Sequence, residues 1–547
     1  MKTMTTGLVA CLIGSAAQAQ MTCEGLTAES LGLSDVRLTD VTMVAAGEES
    51  AVDQCRLRGV TAERTGSDAR DYALSFELAL PADWNGRFVH QFNGGSDGSV
   101  VPATGALGAG TGDTSPLAQG FAVVSSDAGH DGAAVPDAGL AGGARFGFDF
   151  EARRMYGYGA VATLDPIARD IVETYYGDPI SYAYGIGCSN GGRHAMVAAS
   201  RMPDAFDGIL AAAPGYDLPR AALQHAVDVQ ALSSVTGDLA TGFSPDDLSV
   251  VADGIRAACD DLDGLEDGLV QDVAACQMSF DPGSLVCEDG QNSACLSGAQ
   301  VTALQQIHAG SLDGSEPVYS DWYYDTGIES ADWRFWKLES PIPPWDNRPL
   351  IAVMGSASLA QIFTTPPTEV AGDPDSLVGF VNDFDLAARS GEIFATTDEF
   401  PESAMQVMAP PGWDNPELAA LRDAGGKLII SHGTSDPVFS ARQTAEWYRM
   451  LDENNDGNAK DFALYYPVPG MAHCSGGPTL DRFDLFAELV DWVENDETPE
   501  DVTVSARAGN TEVPDTLANA SRPLCPAPQV ARYTGGDTDA ADSFTCE

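Results

Sequence analysis

Basic residues are scarce in this chain of 547 residues. It carries 28 Lys and Arg against 81 Asp and Glu, a formal net charge of −53 at pH 7. A surface of that sign repels nucleic acid and anionic membranes, so we expect no nucleic-acid partner. The acidic excess either serves solubility or reflects adaptation to a salty exterior, where counterions screen the repulsion between like charges.

Long apolar runs, internal repeats and low-complexity tracts are also missing from the body of the chain. No run of 18 apolar residues follows the N-terminal segment, so we expect no membrane partner for the mature protein. With 44% hydrophobic and 20% charged residues, the composition is typical of a globular protein with a sizeable core. The length suits three or four domains, or one catalytic domain with a large insertion.

The N-terminal segment, MKTMTTGLVACLIGSAAQAQ, has the pattern of a secretory signal peptide. Lys2 precedes an apolar stretch over residues 7–14, and Ala17-Gln18-Ala19 matches a signal-peptidase site. We therefore predict a signal peptide over residues 1–19 and a periplasmic or secreted protein. The sequence LVAC, ending at Cys11, resembles a lipoprotein processing box, but cleavage there would leave a very short apolar region.

Cysteine is not abundant, but its number is informative. Removing Cys11 with the signal peptide leaves ten of the 11 cysteines, and an even number in an exported protein favours five disulfides. Closeness in sequence suggests the pairs 259–276, 287–295 and 525–546. Four cysteines then have no local partner, and sequence alone does not pair them: Cys23, Cys55, Cys188 and Cys474.

Strand-like and helix-like segments alternate in two parts of the chain. This alternation predicts an α/β fold with a parallel, doubly wound sheet. The rhythm is absent from about residue 218 to 415, a stretch that holds four clustered cysteines and many prolines, and this indicates an inserted lid. We assign residues 20–217 and 415–547 to a catalytic domain and residues 218–414 to the lid.

The segment YGIGCSNGGRHAM, residues 184–196, contains a G-x-S-x-G pattern centred on Ser189. The pattern alone is weak in a chain with 57 glycines. However, strand-like residues precede it and helix-like residues follow it, as a nucleophile elbow requires. We therefore predict Ser189 as a nucleophile and the backbone N–H of Asn190, near the helix N-terminus, as an oxyanion donor.

A serine nucleophile needs a base and an acid, which in this fold follow it in the order Ser, acid, His. His308 falls in a helix-like run within the insertion. His432 ends a strand, where we interpret it as structural. His473 lies in a polar loop after the last predicted strand, so we predict it as the base. Asp436, 37 residues earlier, would orient it, although a turn residue before proline is the alternative for this aspartate.

Two of the cysteines without a local partner flank these predicted catalytic residues. Cys188 immediately precedes Ser189, and Cys474 immediately follows His473. A disulfide between these two cysteines would tie the nucleophile to the base and hold the two in register.

The segments GCSNGG, HGTSDP and GMAHC resemble the tannase and feruloyl esterase family, whose pattern is Cys-Ser, then Asp, then His-Cys. The resemblance extends over about residues 23–546. It implies an α/β-hydrolase with a lid inserted between the nucleophile and the acid. It also implies five disulfides: Cys23–Cys55, Cys188–Cys474, Cys259–Cys276, Cys287–Cys295 and Cys525–Cys546.

The same resemblance makes FNGGSDG, residues 92–98, the oxyanion loop. It implies the backbone N–H of Gly95 as the second oxyanion donor, with Gly94 as the alternative. One position departs from the family, because many members carry Thr where this chain has Asn190. The Asn190 N–H would still serve, while its side chain could alter the acyl pocket.

The segment CDDLDGLEDGLVQDVAAC, residues 259–276, places six acidic residues between two cysteines. Ca²⁺ prefers six to eight oxygen ligands, but the EF-hand spacing fails here. In the family that the chain resembles, this segment is a structural Ca²⁺ loop; a solvated acidic loop is the alternative. The resemblance implies as ligands the side chains of Asp260, Asp263 and Asp267 and the backbone carbonyls of Leu265 and Leu269.

A second acidic segment, DENNDGNAKDFA at residues 452–463, imitates the start of an EF-hand. Lys460 and Ala463 occupy its ninth and twelfth positions, where that loop needs ligands. We interpret it as a turn before a strand.

Together these features predict an exported serine carboxylic-ester hydrolase that works through an acyl-enzyme, without an organic cofactor. By resemblance, the substrate is a small aromatic ester, free or attached to polysaccharide or polyphenol. Its acyl group would be feruloyl or another hydroxycinnamoyl, galloyl or a related benzoyl group. Aromatic residues of DWYYDTGIESADWRFW, residues 321–336, would line such a pocket or form a structural cluster.

Three other functions share parts of this pattern. They are a non-catalytic scaffold that binds aromatic esters, a secreted peptidase, and a hydrolase of the mono(2-hydroxyethyl) terephthalate type. The last substrate has a free carboxylate, which invites an arginine, yet residues 349–388 contain no Lys or Arg. That disfavours it unless Arg334 or Arg348 reaches the pocket.

Overall fold

The computed structural model describes residues 21–287, 294–500 and 502–547, so the predicted signal peptide lies outside the described residues. Its centre is a nine-stranded sheet of order β1-β2-β3-β5-β4-β6-β7-β8-β9. The strands are β1 Val36–Val44, β2 Gln54–Thr65, β3 Asp71–Pro81, β4 Arg87–Phe92, β5 Ala122–Ser126, β6 Tyr182–Cys188, β7 Gly208–Ala212, β8 Lys427–Gly433 and β9 Ala463–Val468. Two small hairpins follow them, β10 Thr503–Ser505 with β11 Ser521–Pro523, and β12 Ala531–Tyr533 with β13 Phe544–Cys546.

The sheet is mixed rather than parallel throughout. Strands β4 to β9 pair in parallel, as the sequence predicts, whereas β1, β2 and β3 are antiparallel to their neighbours. In β2 the buried Cys55 and Leu57 alternate with the less buried Arg56 and Arg58. Such alternation is typical of an antiparallel strand with one solvated face.

Helices cover both faces of the parallel part. Leu210 of β7 packs with Leu489, on the last helix, on one face. Ile209 and Ala211 pack with Trp447, on the helix before β9, on the other. The helices outside the long β7–β8 connection are α1 Phe150–Arg154, α2 Ala160–Tyr176, α3 Asn190–Arg201, α15 Ala441–Asn454 and α16 Leu485–Asn495.

Residues 213–426, between β7 and β8, form what we call the helical insertion. Its longest helix, α4 Leu218–Thr236, packs against several other helices of the insertion, among them α8 Gly298–Ala309 and α10 Leu350–Ser358. The division of the chain into catalytic and lid domains stays a prediction. The helices of the insertion are α4 Leu218–Thr236, α5 Leu239–Gly242, α6 Pro245–Cys259, α7 Val273–Ser279, α8 Gly298–Ala309, α9 Ala331–Lys337, α10 Leu350–Ser358, α11 Pro374–Asn382, α12 Leu386–Arg389, α13 Ala404–Met408 and α14 Ala419–Ala424.

Five disulfides cross-link the chain, and they are the five pairs that the family resemblance implies. Among the described helices, none combines the length and the apolar character needed to cross a bilayer. The disulfides are Cys23–Cys55, Cys188–Cys474, Cys259–Cys276, Cys287–Cys295 and Cys525–Cys546.

Candidate active site

The predicted catalytic residues all follow carboxyl ends of parallel strands. Ser189 comes directly after β6, Asp436 follows β8, and His473 follows β9. Gly95 lies in the loop after β4, the neighbour of β6 in the sheet. Parallel strands bring their carboxyl ends to one edge of the sheet, which is where ligands bind in such folds. One edge therefore gathers four residues that are far apart in sequence.

Ser189 has the strained backbone of a nucleophile elbow. Its φ is 66° and its ψ is −126°, a conformation that non-glycine residues adopt only where their surroundings enforce it. A side chain at Gly187 would collide with the backbone of Gly191, and one at Gly191 would collide with the carbonyl of Phe92. These close approaches explain why both flanking glycines are needed for the sharp turn from β6 into α3.

Ser189, His473 and Asp436 form a continuous hydrogen-bonded chain. The Ser189 Oγ lies 2.8 Å from Nε2 of His473, and Nδ1 of His473 lies 2.7 Å from Oδ2 of Asp436. Because the carboxylate only accepts, Nδ1 carries the imidazole proton and Nε2 is the acceptor for the Ser189 hydroxyl. This is the tautomer that a general base needs.

Asp436 is held in place by further donors. Its Oδ1 accepts the backbone N–H of Val438 at 2.7 Å and that of Phe439 at 3.1 Å. Its Oδ2 also lies 3.2 Å from Nε2 of His432, and the same nitrogen faces the carbonyl of Phe439 at 3.1 Å. With two acceptors around it, Nε2 of His432 donates. His432, which we interpret from the sequence as structural, thus contacts the predicted acid, Asp436.

The carboxylate of Asp436 and the protonated imidazole of His473 stabilise each other's charge. Burial by itself would raise the pKa of Asp436, but the positive charge of His473 and the hydrogen bond from His432 outweigh it and hold that pKa below its usual value. For His473, burial would lower the pKa, while Asp436 and then Asp332 act in the opposite sense and leave it raised. Asp436 therefore stays ionised, and His473 is a stronger base than an isolated histidine.

Asp332 is a contact that the sequence motifs do not reveal. It lies on α9 of the helical insertion, and its Oδ2 accepts the backbone N–H of His473 at 3.1 Å. Burial raises the pKa of this carboxyl to about 6. The insertion thus anchors the backbone of the histidine loop. Asp332 falls inside the aromatic segment 321–336, where nothing distinguishes it from other surface aspartates.

The disulfide Cys188–Cys474 joins the two loops of the triad directly. Its Cα atoms are 6.1 Å apart, although 286 positions separate the two cysteines in sequence. Each cysteine is the immediate neighbour of a triad residue, Ser189 or His473. The bond fixes the separation of the two loops, which would otherwise be the more mobile parts of the site.

The predicted oxyanion donors lie beside Ser189. Gly95 has a φ of +65°, which favours glycine, and with Ser189 and Asn190 it lines a cavity of about 50 Å³. Gly94 lies directly against Ser189: a Cβ added to Gly94 would be 3.6 Å from the Cβ of Ser189. The cavity therefore favours Gly95 over Gly94 as the second donor.

The side chain of Asn190 takes part in a buried polar network instead of extending freely into the cavity. Its Nδ2 donates to Asp97 at 2.7 Å, and its Oδ1 accepts from Nε of Arg193 at 2.6 Å. Arg193 is completely buried and donates further to the backbone carbonyls of Tyr156 and Gly157. Asn190 thus links α3 to the oxyanion loop, a role that its place in the motif does not indicate.

The cavity above Ser189 is lined mainly by apolar and aromatic side chains. Trp336 and Phe439 stand edge-on to His473, with ring centroids 5.3 and 5.6 Å from the imidazole. Of the aromatic segment 321–336, Trp336 alone among the described residues lines this cavity. Trp322, Tyr323 and Tyr324 line a separate, larger groove of about 1300 Å³, so the segment contributes one aromatic side chain to this cavity and others elsewhere.

None of the described residues that line the cavity is a Lys, Arg, Asp or Glu. The two arginines that could reach a substrate carboxylate are engaged elsewhere. Arg334 pairs with Glu339 and donates to the carbonyl of Phe243, and Arg348 pairs with Asp375. The cavity therefore offers no cation to a charged acyl group.

The acidic segment between α6 and α7 has the donor chemistry of a calcium loop. The side chain of Asp263 is almost fully buried, and both carboxylate oxygens of Asp260 accept the N–H of Gly268 at 3.0 Å. Burial, with the nearby charges of Asp267 and Asp260, raises the pKa of Asp263 to about 7. A hard dication would relieve that repulsion.

These carboxylates lie farther apart than the ligands of a bound metal ion would. Within the described residues, no three potential ligand side chains lie close enough together to hold a metal ion. Asp267 is paired with Arg522. The oxygen donors of this loop fit Ca²⁺. The carboxylates would have to move closer together to bind it, so the calcium site stays a proposal.

Comparison with known proteins identifies the family. The model of the family "Tannase and feruloyl esterase" matches residues 55–547. The mono(2-hydroxyethyl) terephthalate hydrolase of Piscinibacter sakaiensis is 37% identical over 533 residues, covering 93% of this chain and 87% of the relative. A probable feruloyl esterase of Arthroderma benhamiae is 30% identical over 518 residues, covering 91% of this chain and 86% of the relative.

Solved structures show the same fold. Feruloyl esterase B from Aspergillus oryzae superposes with a TM-score of 0.71 at 21% identity, covering 94% of this chain and 97% of that one. Tannin acyl hydrolase from Aspergillus niger gives a TM-score of 0.63 at 20% identity, covering 94% and 90%. The chain therefore belongs to the tannase and feruloyl esterase family and is a carboxylic ester hydrolase with an α/β-hydrolase fold.

Proposed function

We propose that this protein is a serine esterase that cleaves aromatic acyl esters through an acyl-enzyme, with Ser189, His473 and Asp436 as its catalytic triad. The observation that carries the proposal is the hydrogen-bonded chain of these three residues beneath an apolar, aromatic-lined cavity. Two relatives named for aromatic acyl esters support the substrate class.

In the first half-reaction, Ser189 Oγ attacks the ester carbonyl carbon while Nε2 of His473 takes the hydroxyl proton. The imidazolium is stabilised by the ionised Asp436. The backbone N–H groups of Gly95 and Asn190 donate to the oxyanion, which lies near the N-terminus of α3. The intermediate collapses, and His473 gives its proton to the departing alcohol.

In the second half-reaction, water attacks the acyl-enzyme. Nε2 of His473 now takes a proton from that water, and the same two N–H groups hold the second oxyanion. His473 then returns the proton to Ser189 Oγ as the acid is released. The apolar walls of the cavity limit the approach of bulk water and strengthen the electrostatic interactions within it.

The walls of the cavity favour an uncharged acyl group. Its aromatic side chains suit the face or edge of a ring, and its described lining residues include no cation for a carboxylate. The cavity of about 50 Å³ is smaller than an apolar cavity that takes benzene, about 150 Å³. We expect Met354, a flexible side chain in the cavity wall, to move when a ring enters.

We also propose that the protein acts in the periplasm or outside the cell. Five disulfides are typical of an oxidising compartment, and the predicted signal peptide provides the route. A substrate attached to polysaccharide or polyphenol would be met there.

A fluorophosphonate probe tests the catalytic assignment. We expect it to label the folded, oxidised protein at Ser189, as located by peptide mass spectrometry, and not to label Ser189→Ala. Hydrolysis of methyl ferulate, methyl gallate and methyl benzoate should fall about 10⁶-fold in that variant, the loss seen when a triad serine is removed. Absence of labelling in the wild-type protein would favour the non-catalytic scaffold.

The acyl preference is tested with the same preparation. We expect the methyl esters to be cleaved faster than mono(2-hydroxyethyl) terephthalate, because the cavity wall lacks a cation, and faster than a matched peptide amide. A clear preference for the terephthalate monoester would overturn the assignment of an uncharged acyl group.

A further inference from the structure

His225 is a second buried histidine beside the nucleophile. It lies on α4 of the helical insertion and is 6% exposed. It lines the same cavity as Ser189, Gly95 and Asn190. It has no part in the hydrogen-bonded chain of the triad, and no sequence motif singles it out.

The imidazole of His225 makes no well-formed hydrogen bond to another residue of the described chain. Both Nδ1 and Nε2 have almost no accessible surface, and neither meets the geometry of a hydrogen bond, although the Val438 carbonyl lies close enough to interact with the ring. Buried polar atoms in native proteins are nearly always paired, because leaving one unpaired costs stability. By contrast, His432, also buried, is hydrogen-bonded through both ring nitrogens. An imidazole on the wall of the cavity that holds Ser189, without a well-formed hydrogen bond of its own, is therefore placed to pair with a polar group of a bound molecule.

The position of the ring is enforced by its neighbours. A Cβ built on Gly355 of α10 would lie 2.8 Å from Nδ1 of His225, so only glycine allows the imidazole to occupy this place. Gly355 lines the same cavity. The close approach of α10 restricts the ring and keeps it at the cavity wall.

The chemistry of the ring defines its partner. A neutral imidazole offers one N–H donor and one acceptor nitrogen, which match a hydroxyl group. Burial, and to a smaller extent the charge of Lys337, lowers the pKa of His225 to about 3. The Val438 carbonyl acts in the opposite direction but has a smaller effect. At neutral pH the ring therefore has no charge with which to pair a carboxylate.

We propose that His225 is the specificity-determining residue of the acyl pocket, and that it hydrogen-bonds a hydroxyl substituent on the aromatic ring of the substrate's acyl group. This inference rests on the proposed esterase function. It adds to that function the residue that would recognise a ring hydroxyl, a group that the predicted feruloyl and galloyl substrates carry. The two ring nitrogens point in different directions, so the ring hydroxyl would pair with one of them; because a hydroxyl can donate or accept, it can do so in either tautomer of the imidazole.

The test compares ester pairs that differ by one hydroxyl: methyl 4-hydroxybenzoate against methyl benzoate, and methyl 4-hydroxycinnamate against methyl cinnamate. We expect the wild-type kcat/KM to favour the hydroxylated member of at least one pair by roughly tenfold to a hundredfold, the usual effect of leaving a buried polar group unpaired. His225→Phe should bring that ratio close to one, because kcat/KM for the hydroxylated ester falls more than kcat/KM for the unhydroxylated ester. His225→Gln, which keeps a donor and an acceptor, should restore part of the preference.

His308→Phe is the matched control. His308 is a buried histidine of the insertion that does not line this cavity, and its ring stacks on Tyr324. We expect this variant to keep the wild-type ratio. Fluorophosphonate labelling of each variant reports a correctly folded active site. If His225→Phe is not labelled, His225→Leu, which also removes both ring nitrogens, replaces it in the comparison.

Two results would overturn the inference: a wild-type ratio near one for both pairs, or an unchanged ratio in a labelled His225→Phe or His225→Leu protein. Both differ from failure of the proposed function. In that case no ester would be cleaved and Ser189 would not be labelled.

Discussion

The side-chain amide of Asn190 donates a hydrogen bond of 2.7 Å to the carboxyl group of Asp97. Asp97 lies on the loop that carries Gly95, and Asn190 is the first residue of α3. The same Asp97 oxygen lies 3.0 Å from Nε2 of His194, one helical turn further along α3. A single carboxyl group thus joins the two segments that would supply the two oxyanion N–H groups.

Removing this contact should impair catalysis more than substrate binding. We expect Asp97→Ala to lower kcat about tenfold to a hundredfold with a smaller change in KM, because the two N–H groups lose their relative position. Steady-state kinetics on methyl ferulate measures this. Asp97→Asn, which can still accept a hydrogen bond from Asn190, should retain most of the activity. Equal kcat in the wild type and Asp97→Ala would show that the contact does not position the oxyanion donors.

The pH dependence of catalysis should reflect the charges around His473. Its pKa is raised above the ordinary value, and only its neutral form accepts the Ser189 proton. The kcat/KM should therefore be low at acid pH, where His473 is protonated. It should rise as the pH increases through the raised pKa of His473.

Asp332→Asn should move the acid limb of the pH profile, the region where kcat/KM rises with pH, to lower pH. The charge of Asp332 raises the pKa of His473, and the amide removes that charge while keeping an acceptor for the His473 N–H. The measurement is a pH–rate profile of kcat/KM. Asp113→Asn, at an exposed ion pair with Arg482, serves as the control and should leave the profile unchanged. A limb that does not move, or that moves upward, would contradict the assigned role of Asp332.

Loss of the Cys188–Cys474 disulfide should reduce activity without unfolding the protein. We expect the double variant Cys188→Ala/Cys474→Ala to lose at least about tenfold in kcat, because a small displacement of nucleophile and base has a large kinetic effect. Circular dichroism should show retained secondary structure. The matched control removes the C-terminal bond, Cys525→Ala/Cys546→Ala, which lies outside the triad loops and should leave kcat near wild type. Full activity in the first variant would refute a positioning role.

Calcium should stabilise the protein through the loop at residues 260–269. Treatment with EDTA should lower Tm, and added Ca²⁺ at a hundredfold its Kd should raise it again by several degrees, since binding at that excess contributes about 2.7 kcal/mol. Asp263→Asn should abolish the calcium-dependent shift. Asp456→Asn, in the acidic turn that fails the EF-hand pattern, should keep it. An identical Tm with EDTA and with Ca²⁺ would remove calcium from the description of this protein.

The triad could be predicted from sequence because its members carry local signals. Ser189 lies in a glycine pattern that the tight elbow demands. Asp436 and His473 follow strand-like runs in the chain order of this fold, and Cys474 directly follows His473. The structure brings these three residues into hydrogen-bonding contact at the carboxyl edge of the sheet, and their catalytic roles stay a prediction.

Other parts of the site could not be predicted, because their signal arises only in three dimensions. His225 and Asp332 lie on helices of the insertion and approach the triad through packing that no local pattern encodes. The Asn190 side chain is explained only once Asp97 is seen beside it. The antiparallel strands differ from these cases, since the alternation around Cys55 and Leu57 in β2 was visible in the sequence. This alternation differs from the continuous apolar runs of buried parallel strands, which are the pattern that predicts a parallel sheet.

The position of the Cys188–Cys474 bond has a consequence for biosynthesis. Its partners lie 286 positions apart, on either side of the helical insertion, so the second sulfur leaves the ribosome long after the first. The link can close only once nearly the whole chain has been made and has reached an oxidising environment. A nascent or still-reduced chain would carry Ser189 and His473 on loops that are not yet joined. The timing of oxidation would then decide when the enzyme becomes active, and the cell that produces it would be spared an active esterase during synthesis.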